Sequence, residues 1–274
     1  LIGVAFGLSF FLGNIFVVIF AKNTNNNFII PVLIASIIPI INFLLVFFYL
    51  PETKPNSDSN KSKTILKNPL KELFTVFKEE KIKKLSLAFF IYFIAFTGLT
   101  NILIFFLQES LNWTTKASSG TLVVVGIIAI IVQGGLIGPL VKQFGEMRLT
   151  LIGSGFILVA CALLITAPKE NATINIYSAV SFLAVGAGLI TPTLRALISK
   201  KLDIDKQGSI LSNLQGLQSL GGVLGIAMAG RVYDSFGPKS PFIAGSVILL
   251  FMIYLIAEGK NNNSFNNQKS KVLK

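Results

Sequence analysis

The chain has 274 residues, of which 53% are hydrophobic and 13% charged, with a formal net charge of +12. A soluble domain carries roughly 25% charged residues, so this chain lacks the polar surface to cover one large core, and its composition is that of a membrane protein. A single cysteine (Cys161) and no histidine exclude a disulfide framework within the chain, a cysteine zinc site and any chemistry that needs histidine. Nucleic acid is not an expected partner despite the charge, because the lysines lie between apolar runs and form no basic face.

A bilayer core of about 30 Å takes roughly 20 apolar residues as helix. Eight runs are of that order: 1–21, 28–50, 85–107, 118–141, 149–167, 173–199, 209–233 and 239–257. They lack apolar–polar alternation, and lipid admits only helices or closed barrels. The sequence therefore predicts an all-α polytopic membrane protein. The first run has no basic region before it, so it reads as a span and not as a signal peptide. Between the second and third runs lies the one long polar stretch, 50–84, which holds nine lysines. Within it Asn68-Pro69 reads as a helix start, and Leu70, Leu73, Phe74 and Phe77 follow at i, i+3, i+4 and i+7. That spacing predicts an amphipathic helix over 69–84, lying on the membrane surface or packed on the bundle as a linker.

The connections alternate between two sides. Segments 51–84, 142–148, 200–208 and 258–274 together carry 18 Lys and Arg, and the opposite loops carry four: Lys22, Lys116, Lys169 and Lys239. Positive residues accumulate on the cytoplasmic side, which predicts cytoplasmic N- and C-termini. Of the 12 acidic residues, Glu109, Glu170 and Asp234 fall in or beside outer loops and the rest on the cytoplasmic side. No carboxylate is expected inside the bundle.

Polar side chains inside spans are unfavourable against lipid, so most should face a neighbour or a cavity. They are Asn14, Asn42, Asn101, Gln133, Asn213, Gln215 and Gln218. Arg195 lies near the cytoplasmic end of the sixth span. An intramembrane charge is functional by default, but the position of Arg195 near Lys200 and Lys201 favours the reading that it snorkels to the headgroups. Pro192 removes a helix hydrogen bond and is expected to kink that span. Gln215 and Gln218 share a face at i, i+3 that Gly222 and Gly225 continue, which reads more readily as a packing seam than as a cavity wall. No nucleophile–base pair, phosphate loop or metal cluster appears, so neither an enzyme nor a cofactor is expected.

Several short motifs carry a resemblance. Leu50-Pro51-Glu52-Thr53 closes the second run. Gly138-Pro139-Leu140-Val141-Lys142-Gln143-Phe144-Gly145 forms a turn whose frame recurs 92 residues later at Gly230, Asp234 and Gly237. Gln207-Gly208, Gln218-Ser219-Leu220 and Gly225 follow in order, and Pro241-Phe242 opens the last run. In this order the motifs resemble the major facilitator superfamily, and within it the drug–proton antiporter branch that includes tetracycline-efflux-like pumps. Ala5-Phe6-Gly7 and Leu12-Gly13 resemble that branch's antiporter motif, but Asn14 stands at its proline position and Val17 and Val18 at its paired glycines. The first helix should therefore be straighter and less closely packed than in the family. Lys142 likewise replaces the turn's usual aspartate, and Glu146 stands where a basic residue is common.

The resemblance implies a major-facilitator-type bundle with eight of its twelve transmembrane helices, helices five to twelve, in a chain that is a fragment of a longer protein. Residues 1–50 would be the last two helices of the N-terminal bundle and 51–84 the cytoplasmic central loop. Residues 85–257 would be the C-terminal bundle, built from inverted repeats 85–167 and 173–257, and 258–274 a cytoplasmic tail. It implies substrate contacts from Asn101, Gln133, Gln215, Gln218 and Arg195, and conformational roles for Gly138, Gly145, Pro192, Gly230, Asp234 and Gly237. The expected activity is secondary transport in a cell membrane, the bacterial inner membrane: efflux of a small organic compound by alternating access, with protons as the coupling ion that the branch resemblance implies. The alternative is a non-transporting member, decayed or recruited for assembly or sensing.

Overall fold

The computed structural model describes residues 2–23, 29–49, 73–168 and 171–272. Those residues form helices and connecting turns, with no strand among them. The helices are α1 (Ile2–Asn23), α2 (Ile29–Tyr49), α3 (Lys83–Ser110), α4 (Thr115–Phe144), α5 (Glu146–Thr166), α6 (Thr173–Ser199), α7 (Ile204–Phe236) and α8 (Ser240–Val272). Each expected span corresponds to one helix. Six of them, α2 to α6 and the Ser240–Glu258 part of α8, are long and apolar enough to cross a membrane. Helix α7 is long but not apolar enough, because Gln, Ser, Asn and Gly fill much of its sequence between Gln207 and Gly225.

The helices pack in the order α7, α3, α8, α5, α6, α4, α1, and α6 turns back to touch α3 and α7. The core follows that order. Phe89, Tyr92, Leu99 and Phe106 of α3 and Ile176, Leu183, Ile190 and Leu194 of α6 are fully or almost fully buried. Lipid-like surroundings give apolar side chains no reason to hide from solvent, so close contact between spans depends on small residues. Three such seams occur. In the α3–α7 seam, a Cβ added at Gly225 would lie 2.2 Å from the Ile94 carbonyl oxygen, and one at Gly98 would lie 2.8 Å from that of Gly225. In the α5–α6 seam a Cβ added at Gly153 or Gly186 would lie 2.9 or 2.6 Å from the other's carbonyl oxygen. In the α1–α4 seam a Cβ added at Gly126 would lie 2.6 Å from the backbone nitrogen of Phe11.

The last seam corrects an expectation. Helix α1 is unbroken, but it is not loosely packed. The close approach that glycines on α1 would have supplied comes instead from Gly126 on α4, while Gly13 of α1 has nothing near it. Helix α2 packs on little but α1, and Ile37, Ile41, Phe43 and Phe47 are among its many exposed apolar residues.

The amphipathic helix expected over 69–84 falls partly outside the described residues, and its described part is not one helix. Phe74–Phe77 is a single 3-10 turn, turns follow, and α3 begins at Lys83. This segment docks on the bundle. Val76 and Ile82 are fully buried, Leu73 lies over Gly216 of α7, and Asn213 donates to the Thr75 hydroxyl at 3.3 Å. Both of these anchors come from α7, and the segment they hold forms a single 3-10 turn in place of a regular surface helix.

Helix ends show how the chain reverses. Gly145 (φ 75°, ψ 157°) ends α4 and Gly237 (φ 91°, ψ 174°) ends α7. This backbone region is essentially restricted to glycine, which explains the recurrence of glycine at this place in the repeated frame. In each, the glycine N–H donates back to the residue four earlier, Val141 or Tyr233, at 2.9 Å. Asn112 (φ 53°) and Asn171 (φ 56°) take the left-handed conformation at the α3–α4 and α5–α6 connections, which asparagine tolerates better than most residues. Two ion pairs, Lys84–Glu258 at 2.6 Å and Lys200–Glu146, join α3 to α8 and α6 to α5 at one end of the bundle.

Candidate functional site

Where α3, α6 and α7 meet, the structure brings together three of the five residues expected to touch substrate. The Arg195 guanidinium of α6 donates through Nη2 to Gln215 Oε1 at 2.7 Å and to Gln218 Oε1 at 2.5 Å, both on α7. Its central carbon lies 5.9 Å from the Phe89 ring centroid on α3, within range of a cation–π attraction. Gln215 and Gln218 can both reach it because i, i+3 spacing puts them on one helix face. Arg195 does not snorkel away from the bundle; two neutral amide oxygens hold it across the α6–α7 interface. No carboxylate of the described residues lies within ion-pair reach of it, and its Nε is buried without a partner.

One turn earlier on α6, the Thr191 hydroxyl meets the Tyr92 hydroxyl of α3 at 3.2 Å. Tyr92 is fully buried, and its ring stacks on Phe96 with centroids 5.5 Å apart. Sequence reasoning missed this pair, because Tyr92 sits inside the run Phe89 to Phe93 and reads there as one more aromatic core residue. Its hydroxyl was the available signal, since a buried tyrosine hydroxyl needs a partner.

Gln133 and Asn101 lie apart from the cluster. Gln133 belongs to a π turn, Val132–Leu136, within α4, and its Cγ would be 3.8 Å from a Cβ on Gly188 of α6. Gly188 is seven residues before Arg195, about 10 Å along the helix. The π turn precedes Pro139, which has no N–H and whose ring crowds the carbonyl of Gly135, so a widened turn relieves the ladder there. Asn101, exposed on α3, donates to the Thr97 carbonyl at 2.9 Å and lies 12 residues, roughly 18 Å, beyond Phe89. Thr97 in turn borders Gly222 of α7. The expected substrate residues therefore occupy three levels along four helices.

The residues expected to serve conformational change also have definite places. Gly145 and Gly237 are the positive-φ helix ends described above. Gly138 and Gly230 have open space around them, and Asp234 is exposed near the end of α7. Pro192 lies within α6, which continues as α-helix to Ser199. The missing proline N–H removes the helix bond to the Gly188 carbonyl, and Gly188 is where Val132 approaches to 3.0 Å of a built Cβ. Gly225 belongs to the packing seam, as its face suggested, while Gly222 has only ordinary contact with Thr97. Among the described residues, no group of acidic, cysteine or histidine side chains could hold a metal ion.

Residues 1–226 match the family model described as Major Facilitator Superfamily. Tetracycline resistance protein, class H, of Pasteurella multocida is 24% identical over 204 residues, 74% of this chain and 50% of that protein. Hippocampus abundant transcript-like protein 1 of Homo sapiens is 21% identical over 253 residues, 82% of this chain and 49% of that protein. The fold is similar to the crystal structure of the human organic anion transporter MFSD10 (TETRAN), with a TM-score of 0.74 and 20% identity over 93% of this chain and 62% of that one. The chain spans about half the length of the curated relatives it matches. With a family match over most of its length and the same helical fold, the chain belongs to the Major Facilitator Superfamily and is a multi-pass membrane protein.

Proposed function

We propose that this chain supplies the second bundle, and the last two helices of the first, of a secondary transporter that exports a small organic compound by alternating access. The observation that carries this reading is the polar seam. Arg195, Gln215, Gln218, Gln133 and Asn101 lie on α3, α4, α6 and α7, at levels where packing alone would be served by apolar residues. In transporters of this kind the binding site lies between the two halves near the midplane. The names of the tetracycline resistance relatives support export of a drug-like molecule. We assign the proton gradient as the energy source on the same likeness. Because the described spans bury no carboxylate, the proton carrier is assigned to the part of the relatives' length that this chain does not span. The charge bias of the loops supports a cytoplasmic side for both termini and 51–84, and we assign a bacterial inner membrane as the setting on the likeness to the tetracycline resistance protein. Residues 85–167 and 173–257 are read as inverted repeats. The matching glycine ends at Gly145 and Gly237, in the turn between the second and third helix of each, support that reading.

The test is efflux of a dye panel from pump-deficient cells expressing this chain or the open reading frame that contains it, with and without a protonophore. Protonophore-sensitive efflux is the expected result for the longer frame. Silence from both, with each verified in the membrane, refutes export. A second reading, a non-transporting member used in assembly or sensing, is favoured by one observation. Helix α1 is unbroken and carries Asn14, Val17 and Val18 where the antiporter motif has proline and paired glycines.

A further inference from the structure

The Arg195 cluster is unusual in what it leaves unsatisfied. Both glutamine side-chain oxygens are committed to Nη2 of the guanidinium. The protein groups that remain free at the cluster are donors: Nη1 and Nε of Arg195 and the amide N–H groups of Gln215 and Gln218. A neutral acceptor satisfies a hydrogen bond but not a charge, and a charge taken out of water is costly until it is paired. The other described ion pairs, Lys84–Glu258 and Lys200–Glu146, lie at the bundle's end and are already complete. Arg231 of α7 is exposed. Arg195 is thus a half-buried cation within a span, held by two neutral acceptors and without a counter-charge among the described residues.

We propose that Arg195 is the counter-ion for a carboxylate on the transported compound, with the Gln215 and Gln218 amide groups as its additional donors. This rests on the transporter reading above and adds the substrate class: a small organic monoanion. One cation calls for one negative charge. Both N–H groups of Nη2 are taken by the glutamine oxygens, so a carboxylate would accept from Nη1 in a charge-assisted bond. The two glutamine oxygens hold the guanidinium in place before the ligand arrives, so little side-chain freedom is lost on binding.

The test uses the full chain in phosphatidylcholine nanodiscs, with binding followed by equilibrium dialysis. The probes are naphthalene-2-carboxylate, its uncharged methyl ester and naphthalen-2-ylmethylammonium. A charge-assisted pair in this setting is expected to favour the carboxylate over the ester by about tenfold to a hundredfold, with the ammonium weakest. Arg195→Gln is expected to bring the carboxylate down to the ester's affinity, and Arg195→Lys to keep part of the preference. Gln215→Glu places a carboxylate beside the guanidinium and is expected to abolish the preference, and helix content unchanged from the wild type in each variant controls for misfolding. Equal affinity for carboxylate and ester, or a preference that survives Arg195→Gln, overturns the proposal. Loss of probe binding when phosphatidylglycerol is added would make a lipid headgroup the occupant, and overturns it as well. Vesicle uptake of the same probes separates the two claims. Uptake without charge preference overturns the anion site alone, and a carboxylate preference in binding without uptake by the longer reading frame refutes transport while the anion site stands.

Discussion

Replacing Gly225 by alanine tests whether the α3–α7 seam sets the position of the Arg195 cluster. The added Cβ would lie 2.2 Å from the Ile94 carbonyl oxygen, 3.0 Å from its carbon and 3.1 Å from the Gly98 nitrogen. All three atoms are backbone, so no side chain can rotate away. Ordinary contact requires the two helices to part by about 1 Å. Overpacking of this kind costs about 1–3 kcal/mol, and the better helix propensity of alanine returns up to about 1 kcal/mol. The expected net loss is about 1–2 kcal/mol. The strain also spreads toward the site, because Gln218 lies seven residues, roughly 10 Å, along the same helix. The control is Gly155→Ala on α5, where nothing lies within 4 Å; it should be neutral or stabilising by up to about 1 kcal/mol. Stability would be read by titrating the purified protein from mixed micelles into sodium dodecyl sulfate and following helix content. If Gly225→Ala is as stable as the wild type, the seam is not close-packed and the reasoning fails.

Three further outcomes are expected. Gly145→Ala and Gly237→Ala should each cost on the order of 1–3 kcal/mol, because their φ, ψ region is closed to residues with a Cβ; Gly145→Asn should be no better in the same titration, since asparagine favours a different left-handed region. Tyr92→Phe and Thr191→Val should each cost about 1 kcal/mol, and the double variant should cost less than their sum if the 3.2 Å bond joins them. Glu258→Gln removes the partner of Lys84, but both side chains are 42% exposed, so the loss should stay below about 1 kcal/mol and disappear at high salt.

The eight helices were legible in the sequence because each contains a mainly apolar run about as long as a bilayer is thick, bounded by polar residues. The positive-φ ends at Gly145 and Gly237 were legible as a repeated frame, since the backbone there excludes other residues. Arg195 also stood out unaided, as a charge inside an apolar run. The sequence did not specify its partner. Gln215 and Gln218 lie 20 and 23 residues further on, and only the packing of α6 against α7 brings their oxygens to the guanidinium. The same holds for Tyr92 and Thr191, 99 residues apart. The Asn14 region shows the limit most clearly. Read along one helix, the loss of its glycines and proline meant a loose contact; in three dimensions Gly126 of α4 restores the close approach from the other side. Periodicity and composition act along the chain, so they determine spans and turns. Which glycine faces which carbonyl, and which neutral oxygen meets the buried cation, depends on the rotation and depth of one helix against another, and only tertiary packing sets these.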